Sequence, residues 1–394
     1  MISHQFTKSS RSLGFELKLI INSATHFLKI LILSKSISNS ITLTQVLRGH
    51  LRGEDLLKQH WNYKHSYKNP LKIDNLHIQE IRMKSNKDGR YNYNPTIKKS
   101  KNYFEVYWRN SSYALPLQSS QYNDQPAHSI IPNVISDKVM FGQFKFDMNL
   151  PTVFIKNKKY LKITSFEGLD LQSRKLYKLK KSYNFSDPRH HSINSKFITA
   201  VVSSGEIEFR NTKSFVRMAI INRRNGEAIL LGSSSNSKIE KNWIVAKEQK
   251  RDLIMLKSTQ PFSLAKIKIA TGKESVIKSN QNKWLSTANL NGGSPFVFVE
   301  NCYFRIARMK FSIREIGRAR LSVIVKHDLK FKEVSRSKAF VFKNTAIECC
   351  NGLDFDGQFF YFSWGENDKK MFFGFCRKND LLEWYEKNID IVHS

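Results

Sequence analysis

From Leu76 onward the hydrophobic residues come in short runs separated by Gly, Asn, Asp, Ser and Lys, the texture of strands and turns. Runs of strand length fall at 91–97, 103–108, 153–155, 160–166, 197–202, 215–222, 228–231, 253–256, 264–269, 296–299, 303–307, 321–325 and 339–342. The most informative stretch, 347–375, reads as consecutive strands. Asp354 and Asp356-Gly357 punctuate it, Phe359-Phe360-Tyr361-Phe362 is an aromatic run of high β-propensity, and a Ser363–Asp368 loop precedes Met371–Phe375. Gly352 and Gly365 there imply a close approach of another backbone. The front differs: Ile20, Ala24, Phe27 and Leu31 recur at helical spacing, with Lys18, Asn22 and Lys29 on another face. Thr42 and Gln45 form a capping-box pattern before a second helix. The pattern predicts a helical appendage over 1–75, a β body over 76–375, and a tail over 376–394 with a short helix at 381–385. Many short strands mean a sandwich, barrel or propeller, and periodicity alone does not choose among them.

Composition narrows the partners. The chain of 394 residues carries 65 Lys+Arg against 33 Asp+Glu, a formal charge of +32, which points to anionic partners. The charge is spread along the whole length and is mostly lysine, with no nucleic-acid module signature. A solvated cationic surface is therefore expected ahead of a dedicated nucleic-acid site. Cys302, Cys349, Cys350 and Cys376 lack metal-ligand spacing and read as free thiols in a reducing compartment. Glu16 and Lys18 interrupt any leader-like apolar segment, and His26 and Lys29 break the run 20–33 well short of a membrane span. A cytoplasmic protein is expected. No P-loop, G-x-S-x-G, H-E-x-x-H or dinucleotide fingerprint occurs, and no cofactor is expected. His190-His191 invites a metal reading, but adjacent side chains on a strand diverge, so no metal site is expected.

Five motifs stand in order: Asn94-Pro95, Asp187-Pro188-Arg189, Glu240-Lys241-Asn242-Trp243, Gly292-Gly293-Ser294-Pro295, and the 347–375 stretch with Glu348, Gly352 and Asp368. This set resembles a family of carbohydrate-active five-bladed β-propellers, the β-mannoside phosphorylases and hydrolases with related propeller glycosyltransferases. The resemblance covers roughly 78–375. It implies an all-β fold, a five-bladed β-propeller, beside the small N-terminal helical appendage.

It also implies a site. Cleaving a glycosidic bond needs a proton donor for the leaving oxygen and a second carboxylate, or phosphate itself, as the other participant. By the resemblance Asp187 is the first choice of general acid, with Glu348 and Asp368 as further carboxylates. Arg189 and Lys241 would hold anionic oxygens. Asn242 and Trp243 would meet a sugar ring, Ser294 would donate to a sugar hydroxyl, and Arg109 would face the central funnel. The chain departs from the pattern twice. Ser186 stands where the family has glutamate, and Arg308 stands where relatives carry histidine; a guanidinium binds an anion but does not shuttle protons. The expected function is hydrolysis, phosphorolysis or transfer at glycosidic bonds, with a glycan or sugar phosphate as substrate and inorganic phosphate as a possible partner. The alternative is a non-catalytic glycan- or phosphoglycan-binding propeller, and a third reading, nucleic-acid binding, rests on charge alone.

Overall fold

The computed structural model describes residues 70–83, 90–112, 136–170, 175–178, 183–191, 195–204, 216–232, 241–259, 262–279, 290–313, 317–343 and 347–390. The two N-terminal helices and Glu240 lie outside these residues. Residues 70–75, expected to belong to the helical appendage, instead join the β body: Leu71 bridges Phe340 and Ile73 is buried in the core.

Strand β1 (His77–Met83) comes first. An antiparallel run follows, made of β2 (Tyr91–Lys99), β3 (Phe104–Ser111), β4 (Asp137–Phe144) and β5 (Thr152–Tyr160). After β6 (Ser165–Asp170) and β7 (Lys175–Lys178), a second run comprises β8 (Tyr183–Arg189), β9 (Phe197–Ser204), β10 (Val216–Asn222) and β11 (Glu227–Leu230). The third is β12 (Ile244–Glu248), β13 (Asp252–Thr259), β14 (Phe262–Lys268) and β15 (Glu274–Ser279). The fourth is β16 (Leu290–Asn291), β17 (Val297–Val299), β18 (Cys302–Ile313), β19 (Gly317–His327) and β20 (Glu333–Ser337). The fifth, β21 (Glu348–Phe355), β22 (Phe359–Glu366) and β23 (Lys370–Arg377), is completed by β1, which lies antiparallel to β23. Helix α1 (Lys378–Lys387) then leads to β24 (Ile389–Asp390), which pairs with β20. The short helix expected at 381–385 is thus present and longer by a turn. The residues at 339–342, expected as a strand, make only isolated bridges at Phe340, yet all four are buried.

β1 also runs parallel to β5, so the fifth run and the first share one eight-stranded sheet. Alternation within each strand lets one sheet serve two cores. Tyr107 packs with Phe141, Phe185, Ile198 and Ala219 between the first and second runs. Val106 and Trp108, on the other face of β3, pack with Tyr361, Phe373 and Ile81 between the first and fifth. Val201, Met218, Val245 and Met255 join the second to the third. Ile244, Leu256 and Leu264 meet Phe331 between the third and fourth. Phe304, Ile306, Phe360 and Trp364 join the fourth to the fifth, covered by Leu381, Trp384 and Tyr385 of α1. Each run therefore packs on the next and the last on the first. Burying each such large apolar side chain contributes about 1.5–3 kcal/mol.

The close approach implied by Gly352 and Gly365 is to β2. A Cβ on Gly365 would stand 2.6 Å from the backbone nitrogen of Asn94, and one on Gly352 would stand 2.7 Å from that of Ile97. The glycines let β21 and β22 come flush against the first strand of the first run.

Candidate functional site

The first strand of the first and second runs is broken by the same device. Asn94 precedes Pro95 and Asp187 precedes Pro188; both have left-handed backbones (φ 52° and 46°), and pairing slips between Tyr93 and Thr96 and between Ser186 and Arg189. Proline cannot donate to the ladder, so the strand bulges there and re-aims its side chains. Asn242 (φ 69°), Gly292 (φ 41°) and Gly293 (φ 118°) repeat the left-handed conformation at the starts of the third and fourth runs, and Asp368 (φ 52°) repeats it in the turn from β22 to β23.

These irregular points gather charged groups. Asp187 accepts a hydrogen bond of 2.8 Å from the Asn94 amide, and its carboxylate stands 3.6 Å from Arg109 Nη1. Arg109 also pairs with Asp137 at 2.8 Å and lies 5.0 Å from the centre of the Tyr93 ring. Burial by itself would raise the Asp187 carboxyl, but Arg109, the Asn94 hydrogen bond, Arg189 and Lys241 hold it well below the usual carboxylate range. Arg109 stays charged against its burial because Asp137, Tyr93, Asp187 and Asp368 surround it.

Beyond Asp187 the balance turns positive. Arg189, 1% exposed, donates to the Gly293 carbonyl at 3.3 Å and to Asn242 Oδ1 at 3.4 Å, and Arg308 donates to the same Asn242 oxygen at 3.2 Å. Among the described residues neither guanidinium pairs with a carboxylate. Nη1 of Arg189 and Nε of Arg308 are buried with no hydrogen-bond partner. Burial, and then the nearby Arg308, pushes Arg189 down to about 10. Lys241, at the exposed mouth, is lowered by desolvation and by Arg109, Arg320 and Arg308, with Asp187 opposing. Arg320 of β19 donates to Cys349 Sγ, and the fields of Cys349, Asp368 and Asp187 raise it against its desolvation. A small open cleft lies beside Lys241, Asn242 and Gly292 toward Lys257 and Ser258.

Six of the ten residues expected at a site therefore belong to this cluster, Arg109, Asp187, Arg189, Lys241, Asn242 and Arg308, and a seventh, Asp368, acts on it through its field at Arg109 and Arg320. Three do not act as expected. Trp243 is 3% exposed in the core between the second and third runs, with the Lys257 ammonium 4.5 Å from its ring centre, so its indole offers no face to a sugar. Ser294 is fully buried; its hydroxyl donates to the Pro295 carbonyl and accepts from the Ile306 amide at 2.8 Å, which pins the strand and leaves no proton to donate to a sugar hydroxyl. Glu348 is 1% exposed, and its two oxygens accept from the backbone amides of Phe342 and Lys343 at 2.7 and 2.9 Å, a clamp on the preceding loop. His190 and His191 diverge, one buried 3.7 Å from Glu105 and the other 3.0 Å from Glu248. Among the described residues no group of three or more His, Cys, Asp or Glu could hold a metal. No helix among them is long and apolar enough to cross a membrane. Sequence reasoning missed Arg320, Asp137 and Tyr93; Arg320 lies in a strand rich in basic residues, and nothing local marks it out.

No protein-family model matches this chain, and no curated protein matches it. Several solved structures are similar in backbone course. A glycosyl hydrolase from Bacteroides ovatus is 9% identical with a TM-score of 0.49, covering 74% of this chain and 85% of that one. The β-1,2-mannobiose phosphorylase from Listeria innocua, in complex with β-1,2-mannobiose, is 10% identical with a TM-score of 0.47, covering 80% and 94%. A GDP-Man-dependent mannosyltransferase from Leishmania mexicana is 8% identical with a TM-score of 0.45, covering 80% and 93%.

Proposed function

We propose that the five antiparallel runs are the blades of a five-bladed β-propeller, and that the cluster at their irregular first strands is the anion-binding site of an enzyme that moves glycosyl groups to or from phosphate. The cyclic packing of the runs, closed by β1, supports the architecture. The observation that carries the function is the pair Arg189 and Arg308: two buried guanidiniums that share one amide oxygen, pair with no carboxylate among the described residues, and leave two buried N–H groups unmet. Buried charge without a partner costs several kcal/mol, so the pair is built for an anion that arrives. Guanidinium forks suit phosphate oxygens, and Lys241 adds a third cation.

The state of Asp187 decides the direction of proton movement. A carboxyl held ionised by Arg109 and Asn94 is a poor proton donor, and as a weak base it accepts a proton only as the attacking hydroxyl forms its new bond. With a sugar phosphate as donor, the anomeric C–O bond breaks and the electron pair leaves on phosphate, which the guanidiniums hold without needing a proton. The acceptor hydroxyl forms the new C–O bond and gives its proton to Asp187. Asp368, across Arg109 and Arg320, helps keep that side of the site polar. The motif set supports β-mannosides as the sugar class. A non-catalytic phosphoglycan-binding role is the second reading, favoured by Ser186 and by the commitment of Glu348 to backbone amides. The test is calorimetric titration with inorganic phosphate, together with assays of β-mannosides with phosphate and of mannose phosphate with sugar acceptors. Phosphate binding with turnover supports the enzyme, binding without turnover supports the second reading, and no binding overturns both.

A further inference from the structure

Behind the Gly292-Gly293 turn lies a buried cation that the site does not use directly. Arg305 of β18 is 0% exposed, and its Nη1 donates to the Gly292 carbonyl at 3.1 Å. Its Nε donates to Nε2 of His327 at 3.1 Å, also fully buried. His327 must then carry its proton on Nδ1, which stands 2.8 Å from the Phe331 carbonyl and donates to it. Phe296 walls this group in, its ring centre 5.8 Å from the Arg305 guanidinium and 5.0 Å from the His327 ring. An arginine in such surroundings is expensive compared with an apolar residue of its size.

The turn that Arg305 holds is in contact with the anion site on its other side. A Cβ on Gly292 would stand 2.8 Å from Arg308 Nη2 and 2.8 Å from Asn242 Cβ, so Gly292 sets how far both advance. Asn242 Oδ1 is the acceptor shared by Arg189 and Arg308, and Arg189 Nε is tied to the next carbonyl, that of Gly293. Gly293 lies flush against β18, where a Cβ would stand 1.8 Å from the Ile306 carbonyl oxygen, and the next amide, that of Ser294, donates to that oxygen at 2.9 Å.

We propose that Arg305 is a positioning residue for the anion site: held by His327, it fixes the Gly292 carbonyl and thereby the placement of Asn242, Arg189 and Arg308. This rests on the reading of that site as a phosphate site. A displacement of about 1 Å at such a constellation costs up to a hundredfold in function, whereas a merely structural Arg305 would be replaceable by an apolar side chain without cost to binding.

The experiment is titration of the full chain with inorganic phosphate, with melting temperature measured in parallel. Arg305→Met is expected to bind phosphate about tenfold or more weakly, with a lower but still cooperative melt, because the Gly292 carbonyl and His327 Nε2 lose their donor. His327→Gln, whose amide can accept from Arg305 and donate to Phe331, is expected to stay within about threefold of wild type. Wild-type affinity in Arg305→Met overturns the proposal. Should that variant fail to fold, Arg305→Lys serves: it reaches only one of the two partners, so unchanged affinity overturns the proposal and a loss that His327→Gln does not share supports it. If the wild type itself binds no phosphate, the phosphate reading falls. The positioning role is then decided without ligand, by the Nε–H nuclear resonance signals of Arg189 and Arg308. Movement of both signals in the Arg305 variant, but not in His327→Gln, supports it, and unmoved signals overturn it.

Discussion

The amide of Asn94 donates to the carboxylate of Asp187 at 2.8 Å across 93 residues of chain. Both residues hold a left-handed backbone immediately before a proline, in the first strand of neighbouring runs. The same local device, used twice, turns two side chains toward each other, and Asp187 is the first residue to test.

Asp187→Asn keeps the side-chain shape but removes the charge that faces Arg109. Arg109 retains Asp137, so the fold should survive, with the melting temperature within a few degrees of wild type. Glycosyl transfer should fall by about 10²–10⁴-fold, the usual worth of a general base. Assays of both proteins on mannose phosphate with sugar acceptors check this, and equal turnover removes Asp187 from the chemistry.

Arg189 and Arg308 oppose each other until an anion arrives. Single changes to Met should leave stability unchanged or raise it by about 1–4 kcal/mol, as for other buried charges replaced by apolar groups. Phosphate should stabilise the wild type by about 2.7 kcal/mol at a hundred times its dissociation constant and leave both variants unmoved. Thermal melts across a phosphate series read out both effects.

His327 gives stability a pH dependence of known sign. Burial and the adjacent Arg305 push it down to about 3, below its unfolded value of about 6.5. Between these values the unfolded chain binds a proton that the folded chain does not. Its contribution is therefore full above about pH 6.5 and is lost as pH falls toward 3, at a slope approaching about 1.4 kcal/mol per pH unit. Denaturant melts of wild type and His327→Gln from pH 7 to 4 should differ by this slope, and parallel curves would refute it.

Gly293→Ala should destabilise strongly. At φ 118° alanine is strained, and its Cβ would meet the Ile306 carbonyl oxygen at 1.8 Å. A loss of about 3 kcal/mol or more is expected from the named strain, measured by chemical unfolding, with phosphate affinity falling as well because Arg189 is tied to this residue.

The closure of the body through β1 has its own test. Ile81 is 3% exposed in the core shared by the first and fifth runs, and β1 pairs with both β23 and β5. Ile81→Ala should cost about 2–5 kcal/mol and broaden the unfolding transition, and an effect below about 1 kcal/mol would mean that the closure carries little of the stability.

The β character, the fifth run and most strand cores were readable in advance, because alternation and aromatic runs are local properties of a chain whose strands are half or fully buried. The aromatic strand β23 and the terminal helix fell where the pattern placed them, whereas Ser363–Glu366, expected to open a loop, continue β22 because Trp364 packs in the core and its neighbours pair with β23. Polar strands such as β1 and β15 did not show, since their residues are chosen by neighbours in the sheet rather than by alternation. The expected strand at 160–166 divides in the structure, Tyr160 ending β5 and Ser165 opening β6.

In the candidate site, local covalent structure dictates where the backbone leaves regular pairing: Asn94-Pro95, Asp187-Pro188, Asn242 and Gly292-Gly293 are residues that break a ladder or permit a left-handed turn. What each break presents comes from long-range packing. It turned Asp187, Arg189 and Arg308 toward one another, sent Trp243 and Ser294 into the core, bound Glu348 to backbone amides and brought in Arg320 from another strand. Whether a side chain meets solvent, a neighbour or a ligand depends on which distant run packs against it, and that is a property of the closed assembly of runs rather than of any one stretch.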